Sequence, residues 1–206
     1  MARYLASDGS IKEVTPQDSI WQVVARAYGT MVNGAPINWD KSELEGGPGV
    51  AAQHIIPRDG RPGLIRIGVL YQADEVTRQQ SFDELWADCV FELSNVTNAG
   101  KFMEVYRRAI GGEVSRKAWL EANTRLEYSA LVALKSFYSE VWRPWSLRNR
   151  ASHESACWLR DTPGTYEEWI AKYPADSSYL KIWGSYYDKE IVPYVIKTKG
   201  FDPTGR

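Results

Sequence analysis

Apolar residues along this chain recur at helical spacing over most of its length, with strand-like runs near the start. In TPQDSIWQVVARAYGTMV, Ile20, Val23, Val24 and Ala27 share one face of a predicted helix. GLIRIGVLYQ is the clearest strand. ARYLASDGSIKEV reads as two short strands around Asp8-Gly9, a hairpin signal. The stretch from Asn33 to Pro62 is rich in Gly and Pro and reads as a long surface connection, of the kind that serves as a lid or binding loop. Two long helices are predicted next, over Ser81 to Ile110 and Ser115 to Trp142, with Gly111-Gly112 breaking the chain between them. After Pro144 shorter helices are expected near Ser152 to Leu159, Thr165 to Lys172 and Ser177 to Ile196. The tail KTKGFDPTGR reads as loose.

No repeat and no low-complexity tract stands out. The expected fold is α+β and mostly helical, with a small antiparallel or mixed sheet near the N-terminus packed on several helices. Residues 1–197 read as one globular domain and 198–206 as a flexible tail.

Composition narrows the function classes. The 206 residues are 44% hydrophobic and 25% charged, ordinary globular values, with a formal net charge of -1. That balance argues against a general nucleic-acid or membrane-surface partner. No apolar run approaches the roughly 18 residues of a spanning helix. The start has no apolar leader core, and Cys89 and Cys157 make no disulfide framework, so a reduced cytoplasmic setting is expected. A processed secreted form is the other reading. Nine Trp and 12 Tyr are a high load for this length. Aromatic rings fill cores, and they also serve as flat contact surfaces.

The stretch DELWADCVFELSNVTNAGKF carries the first candidate chemistry. Phe82, Leu85, Cys89, Leu93 and Val96 form an apolar helical stripe, with Glu92 on its margin. In the next helix Leu120, Leu131, Leu134 and Tyr138 form the apolar face, and Glu127 falls inside it. Helices joined by a short Gly turn are expected to pack antiparallel, which points both carboxylates toward one interior. A buried carboxylate needs a donor, a cation or a proton, and Asn95, Asn98, Asn123 and Tyr128 are at hand.

This layout resembles the gluzincin metallopeptidases, in which one helix bears H-E-x-x-H and a second bears a glutamate. Matched to that motif, FELSN puts Phe91 at the first histidine, Glu92 at the catalytic glutamate and Asn95 at the second histidine. Glu127 would stand at the third ligand. Both imidazoles are missing, so the resemblance implies a zincin-like scaffold without zinc hydrolysis and with no cofactor. The plainer reading is a satisfied polar cluster that ties helices together. A third is a carboxylate-dependent hydrolase using Glu92 and Glu127, with Asn95 beside them.

Two more segments carry candidate residues. In SHESACWLRD, His153, Cys157 and Asp161 recur every four residues and could form a metal face, but Pro163 ends that helix early. In VWRPWSLRNR, Arg143, Arg148 and Arg150 stand among Trp142 and Trp145 with no acidic residue between, a composition suited to gripping an anion. Arg143, Trp145 and Arg148 are the candidate ligand-binding residues. With His54 and His153 the only imidazoles and no G-x-S-x-G, nucleophilic catalysis has little support. LEGGPGVAAQH lacks the Lys-Ser/Thr of a phosphate loop. The sequence therefore favours a non-catalytic binding protein with an unspecified protein or small-molecule partner.

Overall fold

Ser81 starts the first long helix by exchanging hydrogen bonds with Glu84. The Ser81 N and Oγ donate to Glu84 Oε2 at 2.6 and 2.8 Å, and Glu84 N donates back to Ser81 Oγ at 3.4 Å. This Ser-x-x-Glu exchange satisfies amides that a helix start leaves open. A computed structural model of the chain describes residues 3–5, 11–13, 37–40, 52–55, 64–68, 70–73, 76–79, 81–150, 162–172 and 178–205. The expected helices over Ile20 to Ala27 and Ser152 to Leu159 lie outside them.

The described residues are α+β and mostly helical. Strands β1 (Arg3–Leu5) and β2 (Ile11–Glu13) pair antiparallel, as the Asp8-Gly9 signal predicted. β3 (Ile37–Asp40) runs parallel to β5 (Leu64–Gly68), and β4 (Ala52–Ile55) runs antiparallel to it, making a mixed sheet of order β3-β5-β4. β6 (Leu70–Ala73) and β7 (Val76–Gln79) form a second antiparallel pair. Two expectations are corrected here. The segment read as one long connection, Asn33 to Pro62, contains β3 and β4. GLIRIGVLYQ, read as one strand, is two strands in different sheets. Both errors come from pairing between distant segments, which local composition does not show.

Helix α1 (Phe82–Thr97) ends at Asn98, and α2 (Ala99–Ile110) follows at once. The single helix expected over 81–110 is thus two. Asn98 has φ -89° and ψ -3°, its carbonyl accepts from Lys101 N and Phe102 N, and its Nδ2 donates to Ser129 Oγ at 2.9 Å. After α2, Gly112 at φ 77° closes the helix, with Gly112 N bonded to Ala109 O and Glu113 N to Arg108 O. This paired closure requires a left-handed residue, and glycine takes it freely.

Helix α3 (Arg116–Phe137) does not stop near Pro144. It widens into a π-turn, Tyr138–Trp142, and resumes as α4 (Arg143–Asn149). The Arg143 N–H donates to Tyr138 O, one residue further back than in an α-helix. Farther along, α5 (Tyr166–Ala171) is capped by Thr165, whose Oγ1 accepts from Glu168 N. Helix α6 (Ser178–Tyr186) then widens at Tyr187–Ile191 and resumes as α7 (Val192–Lys199), with Val192 N bonded to Tyr187 O and Pro193 second in the resumed helix. A turn Pro203–Gly205 follows.

The chain divides into two compact units, Met1–Thr97 with Ala130–Thr162, and Asn98–Ser129 with Pro163–Arg206. In the first, α1 packs on β4 and β5, and Trp86 meets Trp142 with ring centroids 5.8 Å apart. The second has an aromatic core around Trp119. Its Nε1 donates to Trp183 O at 2.8 Å, and its ring stacks on Tyr186 at 5.8 Å and 12°. Tyr187, fully buried, donates its hydroxyl to Val114 O at 2.8 Å. Arg116 holds Asp188 with two bonds of 2.8 and 2.9 Å, and lies where a Cβ on Gly184 would come within 2.6 Å of its Nη2. Phe201 packs against the same core.

A Cβ added at Gly112 would lie 2.3 Å from Phe201 Cζ, at a backbone φ of 77°. Gly112→Ala should therefore cost about 2 kcal/mol or more, as left-handed strain plus overpacking. Thermal melts check this, with Phe201→Ala in the same background expected to restore only the packing part. A Gly112→Ala melt within a degree of wild type contradicts this account of the helix end.

Candidate functional site

Helix α1 is unusual in burying polar and apolar side chains together. Val90, Leu93 and Val96 are almost fully enclosed, and so are Glu92 at 5% and Asn95 at 4% exposure. Glu92 was expected on the margin of the apolar stripe, and it is inside. Asn95 lies one turn beyond it, and its Nδ2 donates to Glu92 Oε2 at 3.5 Å, a long bond. Ser94 Oγ donates to Val90 O at 2.8 Å, and Thr97 Oγ1 to Ser94 O at 2.6 Å, which settles those hydroxyls within the helix. Phe91, at the position matched to a zinc-ligating histidine, is half-buried.

Cys89 stands beside this cluster. Burial first, and then the neighbouring charges of Asp88 and Glu92, push its thiol up to about 12. A thiol held protonated at neutral pH is no nucleophile and no ready metal ligand. His54 on β4 faces across to Ile65 on β5, in register. Burial pushes its imidazole down to about 4, and its Nε2 and the Gln53 Oε1 have no hydrogen-bond partner among the described residues. His54 is thus a neutral imidazole at pH 7, and burial is the whole cause of its shift.

Glu127 lies half-buried on α3, in the second unit. The amide and hydroxyl donors of the other residues expected around the carboxylates go to the backbone or a nearby hydroxyl, while Asn123 Oδ1 is buried with no hydrogen-bond partner among the described residues. Asn98 Nδ2 reaches Leu126 O at 3.3 Å, Asn123 Nδ2 reaches Trp119 O at 2.8 Å, and Tyr128 donates its hydroxyl to Pro163 O at 2.9 Å. No group of three or more His, Cys, Asp or Glu side chains among the described residues could hold a metal ion. His153, Cys157 and Asp161 lie outside those residues.

The basic-aromatic segment falls on α4. Trp142 is buried and stacks on Trp145 at 5.2 Å and 24°. Trp145 is half-buried, while Arg143 and Arg148 are exposed. Arg150 ends the helix in a left-handed conformation at φ 54°. Around the helix, Arg148 stands next to Trp145, three residues on, whereas Arg143 points roughly the other way, beside Leu147. None of the three guanidiniums forms an ion pair or hydrogen bond among the described residues. Arg108, Arg116 and Arg125 of the second unit all do. Comparison of the chain with family models, with curated proteins and with solved structures returned no match.

The His54 shift carries a pH signature. Its folded-state pKa lies below the unfolded value of 6.5, so protonation favours unfolding. Stability should be full above pH 6.5 and fall as pH drops toward 4, by at most about 1.4 kcal/mol per pH unit from this group. Denaturant titrations from pH 7 to 4 on wild type and His54→Asn check it. The variant should show a shallower decline over that window, and equal slopes would remove His54 from the account.

Proposed function

We propose that the protein is a non-catalytic binding protein that holds an anionic partner on α4, with Arg143, Arg148 and Arg150 supplying charge and Trp145 a ring face. One observation carries this reading: three exposed arginines on one helix and its end have no acidic neighbour in RPWSLRNR and no ion pair among the described residues. Arg108, Arg116 and Arg125 of the second unit are held by carboxylates, whereas Arg107, like the three arginines here, has no ion pair among the described residues, so the set on α4 is distinguished by its clustering beside Trp145. The stacked Trp142 and Trp145 stiffen the helix on which they sit. Cationic residues also suit a helix C-terminus, where they face the negative end of the dipole.

On this reading the α1 cluster is a brace. Should the scaffold be zincin-like, Glu92 and Asn95 are what remains of a metal helix whose imidazoles are gone, and they now serve packing. Glu92→Gln, which keeps an acceptor oxygen toward Asn95, should melt close to wild type and change no activity. In a broad hydrolase screen, an activity in wild type that is lost in Glu92→Gln at unchanged stability would favour carboxylate catalysis instead. Glu127→Leu, which leaves its present neighbours without a polar partner, should cost about 1–3 kcal/mol.

The α4 reading is tested with Arg143→Ala/Arg148→Ala/Arg150→Ala and with Arg150→Gly, against inorganic phosphate, a sulfated disaccharide and oligothymidylate. The triple variant should lose affinity without melting early. Arg150→Gly separates function from fold: glycine relieves the φ of 54°, so stability should rise by about 0.5–1 kcal/mol while anion affinity falls. A triple variant that melts far earlier, with no anion shifting the wild-type melting point, would make the segment structural.

A further inference from the structure

The helix that widens at Tyr138 and the helix that widens at Tyr187 align without a gap. SFYSEVWRPW and SYYDKEIVPY share Ser, Tyr and Pro at fixed places, with Phe against Tyr and Trp against Tyr at two more. Their structures agree more closely than their letters. Each carries a π-turn that ends two residues before a proline. Each buries three residues at four-residue spacing, Tyr138, Trp142 and Ser146 in one and Tyr187, Ile191 and Val195 in the other. Each ends on a left-handed residue, Arg150 at φ 54° and Gly200 at φ 73°. One copy stands in each unit.

The match extends to the exposed side. Trp145 corresponds to Tyr194, Leu147 to Ile196 and Arg148 to Lys197. Leu147 is 54% exposed, Ile196 47% and Tyr194 45%, three of the five large apolar side chains that stand out in solvent among the described residues. In both helices the cation lies between the ring and the aliphatic chain around the axis. Neither stretch, RPWSLRNR or VPYVIKTK, contains an acidic residue. Like Arg148, Lys197 forms no ion pair or hydrogen bond through its side chain among the described residues.

We infer that the chain displays one docking surface twice, on α4 and on α7, and that its occupant is an anionic lipid surface. This rests on the proposed anion binding at α4 and goes further in the partner and the number of sites. A soluble anion engages the cations and the ring and leaves Leu147 and Ile196 in water. An acidic bilayer interface takes all three elements at once: headgroup charge for Arg148 and Lys197, the headgroup boundary for Trp145 and Tyr194, acyl chains for the aliphatic tips. The net charge of -1 that argued against such a partner is an average that conceals two acid-free stretches.

The test is co-sedimentation of the full chain with phosphatidylcholine vesicles, with and without phosphatidylserine, for wild type, Leu147→Glu, Ile196→Glu and the double variant. Both side chains are exposed, so the variants should melt as wild type does. Partition should require phosphatidylserine, fall roughly tenfold with each single change and vanish with both. Partition that ignores Ile196→Glu overturns the second surface and leaves α4 intact. No partition, with the sulfated disaccharide still bound through Arg148, overturns the lipid occupant and spares the anion reading. Capture of poly-glutamate with the same variant dependence but no vesicle binding assigns an acidic protein instead and overturns the proposal. No binding to any probe overturns both readings.

Discussion

Proline lacks an N–H, and its ring occupies the space that the carbonyl four residues earlier needs in an α-helix. A helix that meets one in mid-course must stop, kink or widen. Here it widens twice. At Tyr138–Trp142 and again at Tyr187–Ile191 the turn takes in one extra residue, so that Arg143 and Val192 reach back to Tyr138 O and Tyr187 O. The widening gives the proline ring room and lets the helix resume. It also resets the phase. Burial every four residues, at Tyr138, Trp142, Ser146 and at Tyr187, Ile191, Val195, drifts around a plain α-helix but runs nearly straight along a widened one. With the buried line straight, the opposite side holds its charged and apolar residues outward in a fixed arrangement.

Each unit supports its copy differently. In the second, Trp119 is the hub: its indole N–H bonds to Trp183 O, and its ring touches Trp183, Tyr186 and Tyr187. Aromatic pairs of this kind add about 0.5–1.5 kcal/mol each beyond their buried area. The exposed Arg116–Asp188 pair on the same π-turn adds less, with 47% of each side chain in solvent. In the first unit Trp86, Trp142 and Trp145 play the aromatic part, and α1 lies on β4 and β5 with Glu92 and Asn95 enclosed. Cys89 beside them is held as a thiol, first by its own burial and then by the charges of Asp88 and Glu92.

Much of this was legible where the determinant is local. The hairpin around Asp8-Gly9, the Gly111-Gly112 closure and the start of α5 near Thr165 each follow from one or two residues acting on their own backbone. The mostly helical α+β class followed from apolar spacing. What failed needed distant partners. β3 and β4 pair only through β5, so a Gly- and Pro-rich stretch concealed them. The break at Asn98, whose side chain bonds to Ser129 far along the chain, falls on neither a Gly nor a Pro. Pro144 was read as a stop because sequence rules hold that proline ends helices, and a π-turn is invisible to a period of 3.6. For the candidate site, Glu92 and Asn95 were singled out from helical position, and Arg143, Trp145 and Arg148 from composition. The proposed second surface was not singled out because Lys replaces Arg and Tyr replaces Trp. The shared Tyr and Pro spacing was the available signal.

On the proposed reading, two proline-reset helices each present a ring, an aliphatic tip and a cation to one kind of acidic interface. The most direct measurement is a residue-by-residue map of amide signal attenuation in isotopically labelled protein on acidic vesicles carrying a paramagnetic lipid. Attenuation should concentrate at residues 145–148 and 194–197, with Trp119 and Tyr187 in the aromatic core unaffected. Attenuation confined to one of the two helices, or centred on α1 around Glu92, would contradict it.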